Sequence, residues 1–210
     1  MQIMPQTTMN HSLKFKFLLT LIILATLTRI AIPPFIAHPP NFSPIDAIAL
    51  FCGAYFGRRA MAFIAVFFSV WLGDIVLNKI LLGHWTLFYS GWYWQYGCYF
   101  VITLLGTTLQ DKIKPIRFVA TTVVAASLFF IISNFGVWSS GLLYPFTLEG
   151  LLACYVAAIP FFKATAMSDL FFSLVLFGSF ELLQIKFIAR KPAFSHDPST
   201  KMGLITSDKR

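Results

Sequence analysis

The sequence predicts an all-α fold, a polytopic integral membrane bundle of six transmembrane helices with both termini in the cytoplasm. Three observations predict it. First, 58% of the 210 residues are hydrophobic and 11% are charged, whereas a soluble domain carries roughly 25% charged residues because its surface must face water. Second, the apolar residues form runs approaching the ~20 that cover about 30 Å of hydrocarbon. Third, lysine and arginine gather in short clusters between those runs, as they do in cytoplasmic loops. The mean hydropathy of +0.76 and the 24 phenylalanines agree with a surface that meets lipid.

The elements follow in order. Residues 1–14 read as a cytoplasmic segment, 15–187 as one six-helix domain, and 188–210 as a basic tail too polar to pack, expected to be disordered. Span 1 runs from Phe15 to Ile32 and is stopped by Pro33-Pro34. Lys14 and Lys16 ahead of an apolar core would suit a secretory signal, but Arg29 interrupts and no small-x-small cleavage site follows, so the helix is retained. Span 2, Pro44 to Gly57, is short. Its Ala49, Gly53 and Gly57 recur every fourth residue, a stripe that lets a neighbouring helix approach closely. Asp46 at its start reads as a cap, favourable to the helix dipole. Span 3 is Ala60 to Leu82, span 4 Trp92 to Gln110, span 5 Ile116 to Asn134 and span 6 Thr165 to Phe187.

A second short run, Gly150 to Phe162, competes with span 2 for a crossing, and charge decides between them. The clusters are Lys14 and Lys16; Arg58 and Arg59; Lys112, Lys114 and Arg117; and Lys186, Arg190 and Lys191. All of them face the cytoplasm only if Pro44 to Gly57 crosses and Gly150 to Phe162 does not. The segment near 150–162, flanked by Glu149 and Lys163, is therefore expected as a re-entrant or interfacial helix over the outer face.

The net charge of +8 does not point to nucleic acid, because the basic residues are dispersed as topology signals and form no single face. Cys52, Cys98 and Cys154 lie in apolar segments without CxxC spacing, which indicates neither a zinc site nor a disulfide framework. There is no HExxH, GxSxG or P-loop, and His11, His38, His84 and His196 are scattered. No enzyme activity, metal or cofactor is expected, and an ATP-driven motor would belong to another chain.

Polar residues inside a membrane are costly and mark function or pairing. Counted from the cytoplasmic ends, Arg29 lies about 21 Å up span 1 and Asp74 about 21 Å up span 3, while Asp169 lies about 6 Å below the outer start of span 6. Asn134 closes span 5 on the same side. These residues read as the level of a binding pocket beneath three long outer connections, which add Asn41, Ser43, Trp85, Tyr89, Trp138 and Tyr144. Two roles fit the group: a ligand site, or pairing of Arg29 with Asp74 or Asp169 that holds the bundle together. The rings fit either a pocket wall or an interfacial belt. Glu181 is expected to meet water or Lys186.

The stretches PPNFSPIDAIALFCGAYFGRR (39–59), NFGVW (134–138) and CYVAAIPFFKATAMSDLFF (154–172) resemble a family of uncharacterised bacterial membrane transport proteins. That family is itself similar to the substrate-binding S components of energy-coupling factor transporters. The resemblance implies a bacterial inner-membrane protein with six helices, cytoplasmic termini and a vitamin-sized ligand site near the outer face. The motif positions it implies are Asn41, Ser43 and Pro44, then Asn134 and Trp138, then Asp169. It also implies a separate coupling membrane subunit with two ATPases as partner. One departure is that the cytoplasmic half of span 1 reads FKFLLTLIILATLTR, with leucine and isoleucine where many S components carry an alanine-x-x-x-alanine docking surface. Relatives in cobalamin uptake suggest Cys98 as a cobalt ligand, although its apolar helix lacks the charged neighbour that favours a thiolate.

The leading expectation is thus the substrate-binding component of a small-molecule uptake transporter, with a ring-bearing, partly polar, vitamin-like ligand captured from the outer face. A scaffolding membrane protein of the cell-shape type is the alternative, and an intramembrane enzyme using Asp74 or Asp169 is a third reading.

Overall fold

The computed structural model describes residues 11–35, 42–56, 59–110 and 113–189. Asn41, Gly57, Arg58 and the basic tail lie outside the described residues, and so does the side chain of Arg29. Six α-helices and no strand occur among the described residues: α1 His11–Phe35, α2 Ile45–Tyr55, α3 Arg59–Leu82, α4 Trp92–Gly106, α5 Pro115–Ser139 and α6 Leu148–Ala189. A 3-10 turn, Thr107–Leu109, tightens the end of α4. Arg59–Leu82, Pro115–Ser139 and Leu148–Lys186 are long and apolar enough to cross a membrane. Their outward side chains include Ile64, Phe68, Leu72, Val119, Val123, Leu174 and Val175, more contiguous apolar surface than water tolerates.

Side-chain contacts fix the direction of each helix. Phe15 at the start of α1 meets Phe56 just past α2, so these two run antiparallel. Because α3 begins at Arg59, three residues after Phe56, α1 and α3 start at the same end and run parallel, and Thr26 and Ser69, each about midway along them, share a 2.5 Å hydrogen bond. Phe63 stacks on Phe100, Tyr99 on Phe129, and Phe118 meets Phe177. Together with the Ser43–Ser168 contact, these pairs make α1, α3 and α5 parallel to one another and antiparallel to α2, α4 and α6. The alternation brings Lys16, Arg59, Lys114, Arg117 and Lys186 to one end of the bundle.

The core is built around α2. Every residue from Ile45 to Ala54 is buried, and α2 touches each of the other five helices. Phe51 lies at the centre, meeting Tyr55, Phe177 and Phe180, and Phe17 of α1 stacks on Phe180. Edge-on and offset rings fill such a space better than aliphatic chains and add about 0.5–1.5 kcal/mol per pair. The closest approach is between backbones. A Cβ on Gly53 would sit 2.1 Å from the carbonyl oxygen of Thr103, and one on Gly106 would sit 2.3 Å from that of Leu50. The two glycines let α2 and α4 cross with their main chains in contact.

The structure departs from the sequence reading in two helices. Span 1 does not stop at Pro33-Pro34, because α1 continues through both prolines to Phe35. Proline fixes φ near the helical value, and carbonyls of a last turn lack intrahelical donors in any helix. More consequentially, the helix expected near 150–162 is not a separate element. It is continuous with span 6 in one 42-residue helix that carries Pro160 inside it. Pro160 removes one hydrogen bond, to the Val156 carbonyl, and the neighbouring α5 holds the rest in line: Tyr155 donates to the Ile131 carbonyl at 2.7 Å, and Phe162 packs on Phe130. At 1.5 Å per residue α6 is about 63 Å long, twice the hydrocarbon thickness.

These contacts predict that Gly53→Leu and Gly106→Leu lose roughly 1–3 kcal/mol or more, since the obstructing atoms are backbone and cannot turn aside. The thermal unfolding midpoint in detergent should fall in both. Gly97→Ala, where a Cβ meets nothing within 4 Å, should be neutral or slightly stabilising in its helix; equal losses in all three would refute the close-crossing account.

Candidate functional site

Two polar features lie within the bundle, and of the residues expected at one level Asn134 belongs to one and Asp169 to the other. The larger is a cavity of about 710 Å³ at the end opposite the basic cluster, between the start of α4, the end of α5 and the upper part of α6. Aromatic walls come from Tyr89, Trp94, Phe129, Phe130, Phe161 and Phe162, and polar groups from Gln95, Ser133, Asn134 and Thr165. The Tyr89 hydroxyl donates to Gln95 Oε1. Asn134 donates from Nδ2 to the Phe130 carbonyl at 2.7 Å, one turn back on its own helix. That leaves its Oδ1 for a ligand donor. No charged side chain among the described residues lines the cavity.

The second feature lies deeper. Asp46 on α2 and Asp169 on α6 are 5% and 1% exposed, and their carboxyl groups are within hydrogen-bonding reach of each other. The contact is set by Ser168, which grips the chain entering α2. Its Oγ accepts from the Ser43 N–H at 2.9 Å and donates to the Ser43 carbonyl at 2.8 Å. Asp169 follows Ser168 directly, and Asp46 lies three residues after Ser43 in the first turn of α2, so the clamp brings the two acids together. Asp46 makes no side-chain cap on its helix, so the reading of it as a cap is corrected: its carboxyl is turned into the bundle towards α6. Among the described residues, Asp46 Oδ1, Asp169 Oδ2, Ser43 Oγ and Ser173 Oγ are buried without a hydrogen-bond partner. Cys98 of α4 is fully buried and close enough to Asp46 to feel its charge. It does not line the cavity, which removes the geometry a cobalt ligand there would need.

The remaining expected residues are placed as follows. Asp74 is buried and accepts a 2.8 Å hydrogen bond from the Tyr96 hydroxyl, apart from Asp169. Trp85 is exposed on the α3–α4 connection, with Lys79 Nζ 5.8 Å over its ring, so it is no pocket wall. Trp138 donates its ring N–H to the Pro145 carbonyl at 3.0 Å and pins the α5–α6 connection. Tyr144 is half-buried in that same connection. Glu181 accepts from the Tyr55 hydroxyl at 2.5 Å, where water or Lys186 was expected. Asp169 is also deeper than the sequence suggests. Because α6 begins at Leu148, it lies about 31 Å below the start of its helix, not 6 Å.

Reading the sequence alone missed Gln95, Ser133 and Thr165 in the cavity and Ser168 and Ser173 beneath it, and gave Asp46 only a capping role; Trp94 belongs to the rings that fit either a pocket wall or a belt, and it lines the cavity. A signal for the last group was present: Thr165, Ser168, Asp169 and Ser173 form a polar stripe at helical spacing in an otherwise apolar helix. The stripe also joins the two features, since Thr165 lines the cavity one turn from Asp169.

The clamp gives a direct prediction. Ser168→Ala leaves the Ser43 N–H and carbonyl unpaired in a buried site and should cost about 1–3 kcal/mol, read as a fall in unfolding midpoint. Ser127→Ala, whose hydroxyl only bonds back to the Val123 carbonyl, should change it little. If the two behave alike, the clamp carries no energy.

No curated protein and no solved structure matches the chain. Residues 9–194, nearly the whole of the chain and both polar features, match the profile of a family of unknown function (DUF6580), and the chain belongs to that family.

Proposed function

We propose that the protein is the substrate-binding membrane component of a small-molecule uptake system, lying in the bacterial cell membrane and taking its ligand from the outer face. The observation that carries this reading is the cavity of about 710 Å³ at the end of the bundle opposite the basic residues. Its volume falls in the range of roughly 300–1,000 Å³ typical of small-molecule sites. Six helices that alternate in direction, with the basic residues at one end, support six crossings with both termini inside. In this reading α2 crosses as a buried half-length helix, and the first turns of α6 stand beyond the hydrocarbon on the outer side.

The lining narrows the ligand. Among the described residues the lining offers aromatic faces and neutral hydrogen-bonding groups without a charge, which favours an uncharged, ring-bearing micronutrient, because a charged one would lose its hydration without an ion partner. The sequence reading gave the pocket one cation and two carboxylates; neither Asp74 nor Asp169 is in the described lining. Among the described side chains, the outward side of α1 carries Leu19, Ile23, Leu24 and Leu27, bulky residues where a coupling subunit with two ATPases would be expected to meet small ones.

Two measurements test the reading. Purified protein screened against ring-bearing vitamins should be stabilised by one of them, by about 2.7 kcal/mol at a hundredfold excess over Kd. Trp94→Ala and Asn134→Ala should abolish that gain while leaving the unliganded midpoint near its original value. A screen without any stabilising compound, together with normal uptake in cells lacking the protein, would reject it. Independently, reporter fusions at both termini should report the cytoplasm; a C-terminal reporter active outside would overturn the six-crossing topology.

A further inference from the structure

We propose that Asp46 and Asp169 form a monovalent-cation site in the middle of the bundle, taking a proton or a sodium ion. We further propose, resting on the uptake reading above, that this cation couples to ligand in the cavity and supplies the energy for uptake.

The argument starts from what two touching carboxyl groups require. Ionised, each is an acceptor only and has no hydrogen to give, so two carboxylates in contact repel and leave their oxygens unsatisfied. Burial removes the water that would screen them. A cation resolves both conditions, either as a proton shared between the groups or as a hard metal ion held by oxygen ligands. The surroundings are prepared for it. Ser173 is fully buried, lies one turn below Asp169 on the same face of α6, and its Oγ is unpartnered among the described residues, as are Ser43 Oγ and one oxygen of each aspartate.

Among the described side chains on the neighbouring helices, none supplies a positive charge to the pair. From α4 comes Cys98, a buried thiol. The nearest acid on α3 is Asp74, already bound by Tyr96. At this level α5 presents Thr122, Ala125 and Ala126, none of them titratable. On α1, Arg29 stands at a comparable height along its helix, about 21 Å from Phe15. Glu181 is engaged by Tyr55 near the basic end.

The position suits coupling. Thr165 contributes to the cavity wall and Asp169 lies one turn below it on the same rigid helix, while Ser168 between them holds the entry to α2 through both of its hydrogen bonds. A ligand that shifts α6 at Thr165 therefore shifts the spacing of the two carboxyls. By reciprocity, a cation that draws them together alters the cavity by the same coupling free energy.

The test needs no cavity ligand, so its failure is separate from failure of the uptake reading. Unfolding midpoints of the purified full-length protein are measured against sodium, balanced with choline, and against pH from mildly acidic to mildly alkaline. The wild type should shift by several degrees with sodium at fixed pH, or with pH alone, and which of the two acts identifies the cation. Asp46→Asn and Asp169→Asn should lose that shift. A wild type indifferent to both, or folded variants that respond as it does, would overturn the site. A measurement on the wild type alone covers variants that fail to fold: an apolar carbodiimide, which modifies protonated carboxyls, is mapped by peptide mass spectrometry. Labelling of Asp46 or Asp169 that falls with sodium or with rising pH supports the site, and no labelling, or labelling indifferent to both, overturns it.

Discussion

A helix of 11 residues reaches about 16 Å, roughly half the hydrocarbon thickness, so α2 exists in an apolar medium only because protein surrounds it on every side. That burial is the condition on which the other elements depend. It requires α4 to come within backbone contact, which Gly53 and Gly106 permit. It requires the polar groups at the entry to α2 to find partners inside protein, which Ser168 provides. It also carries Asp46, in the first turn of the helix, to a buried position. An external helix could have turned that residue to the headgroups; an enclosed one cannot.

The division of polar residues between two depths follows from this arrangement. The cavity occupies the space where α2 is absent, above its first turn, and α4, α5 and α6 close around it with rings and neutral donors. Beneath it, the top of α2 fills the same space and brings a carboxyl against α6. A cavity without charge among the described residues, lying over a pair of buried carboxyls, is thus a consequence of a central helix that stops halfway. The long α6 is continuous through both compartments and gives them one rigid wall, with the stripe Thr165, Ser168, Asp169 and Ser173 as its polar face.

Much of the fold is legible in the sequence, because the cues for it are local. Apolar runs, flanking prolines and basic clusters are each decided within about twenty residues, and the stripe Ala49, Gly53 already marks α2 as a packing helix. The two misread boundaries have different causes. Pro33-Pro34 carry a local preference against helix that the last turn of α1 tolerates, whereas 150–162 was set apart from span 6 by its length and flanking charges, which do not register that one helix can run through both. The site was legible only in part for a related reason. Asn134 was singled out by its place at the end of span 5 and Tyr89 by its outer connection, whereas depth counting misplaced Asp169 along its helix and places no residue around one. It therefore set Asp74 beside Asp169, whereas Asp74 faces Tyr96 and Asp169 faces Asp46.

By itself the sequence determined the all-helical class and the apolar character of the chain, because composition acts through the medium and needs no partner, but it expected one helix more than the six among the described residues. Only the tertiary structure decided which carboxyls meet, which rings enclose a cavity and that this cavity is uncharged among the described residues. Those outcomes depend on the rotation of each helix about its axis and on where α2 ends against its neighbours. Neither is encoded in any one segment, and both are fixed only when six helices pack together.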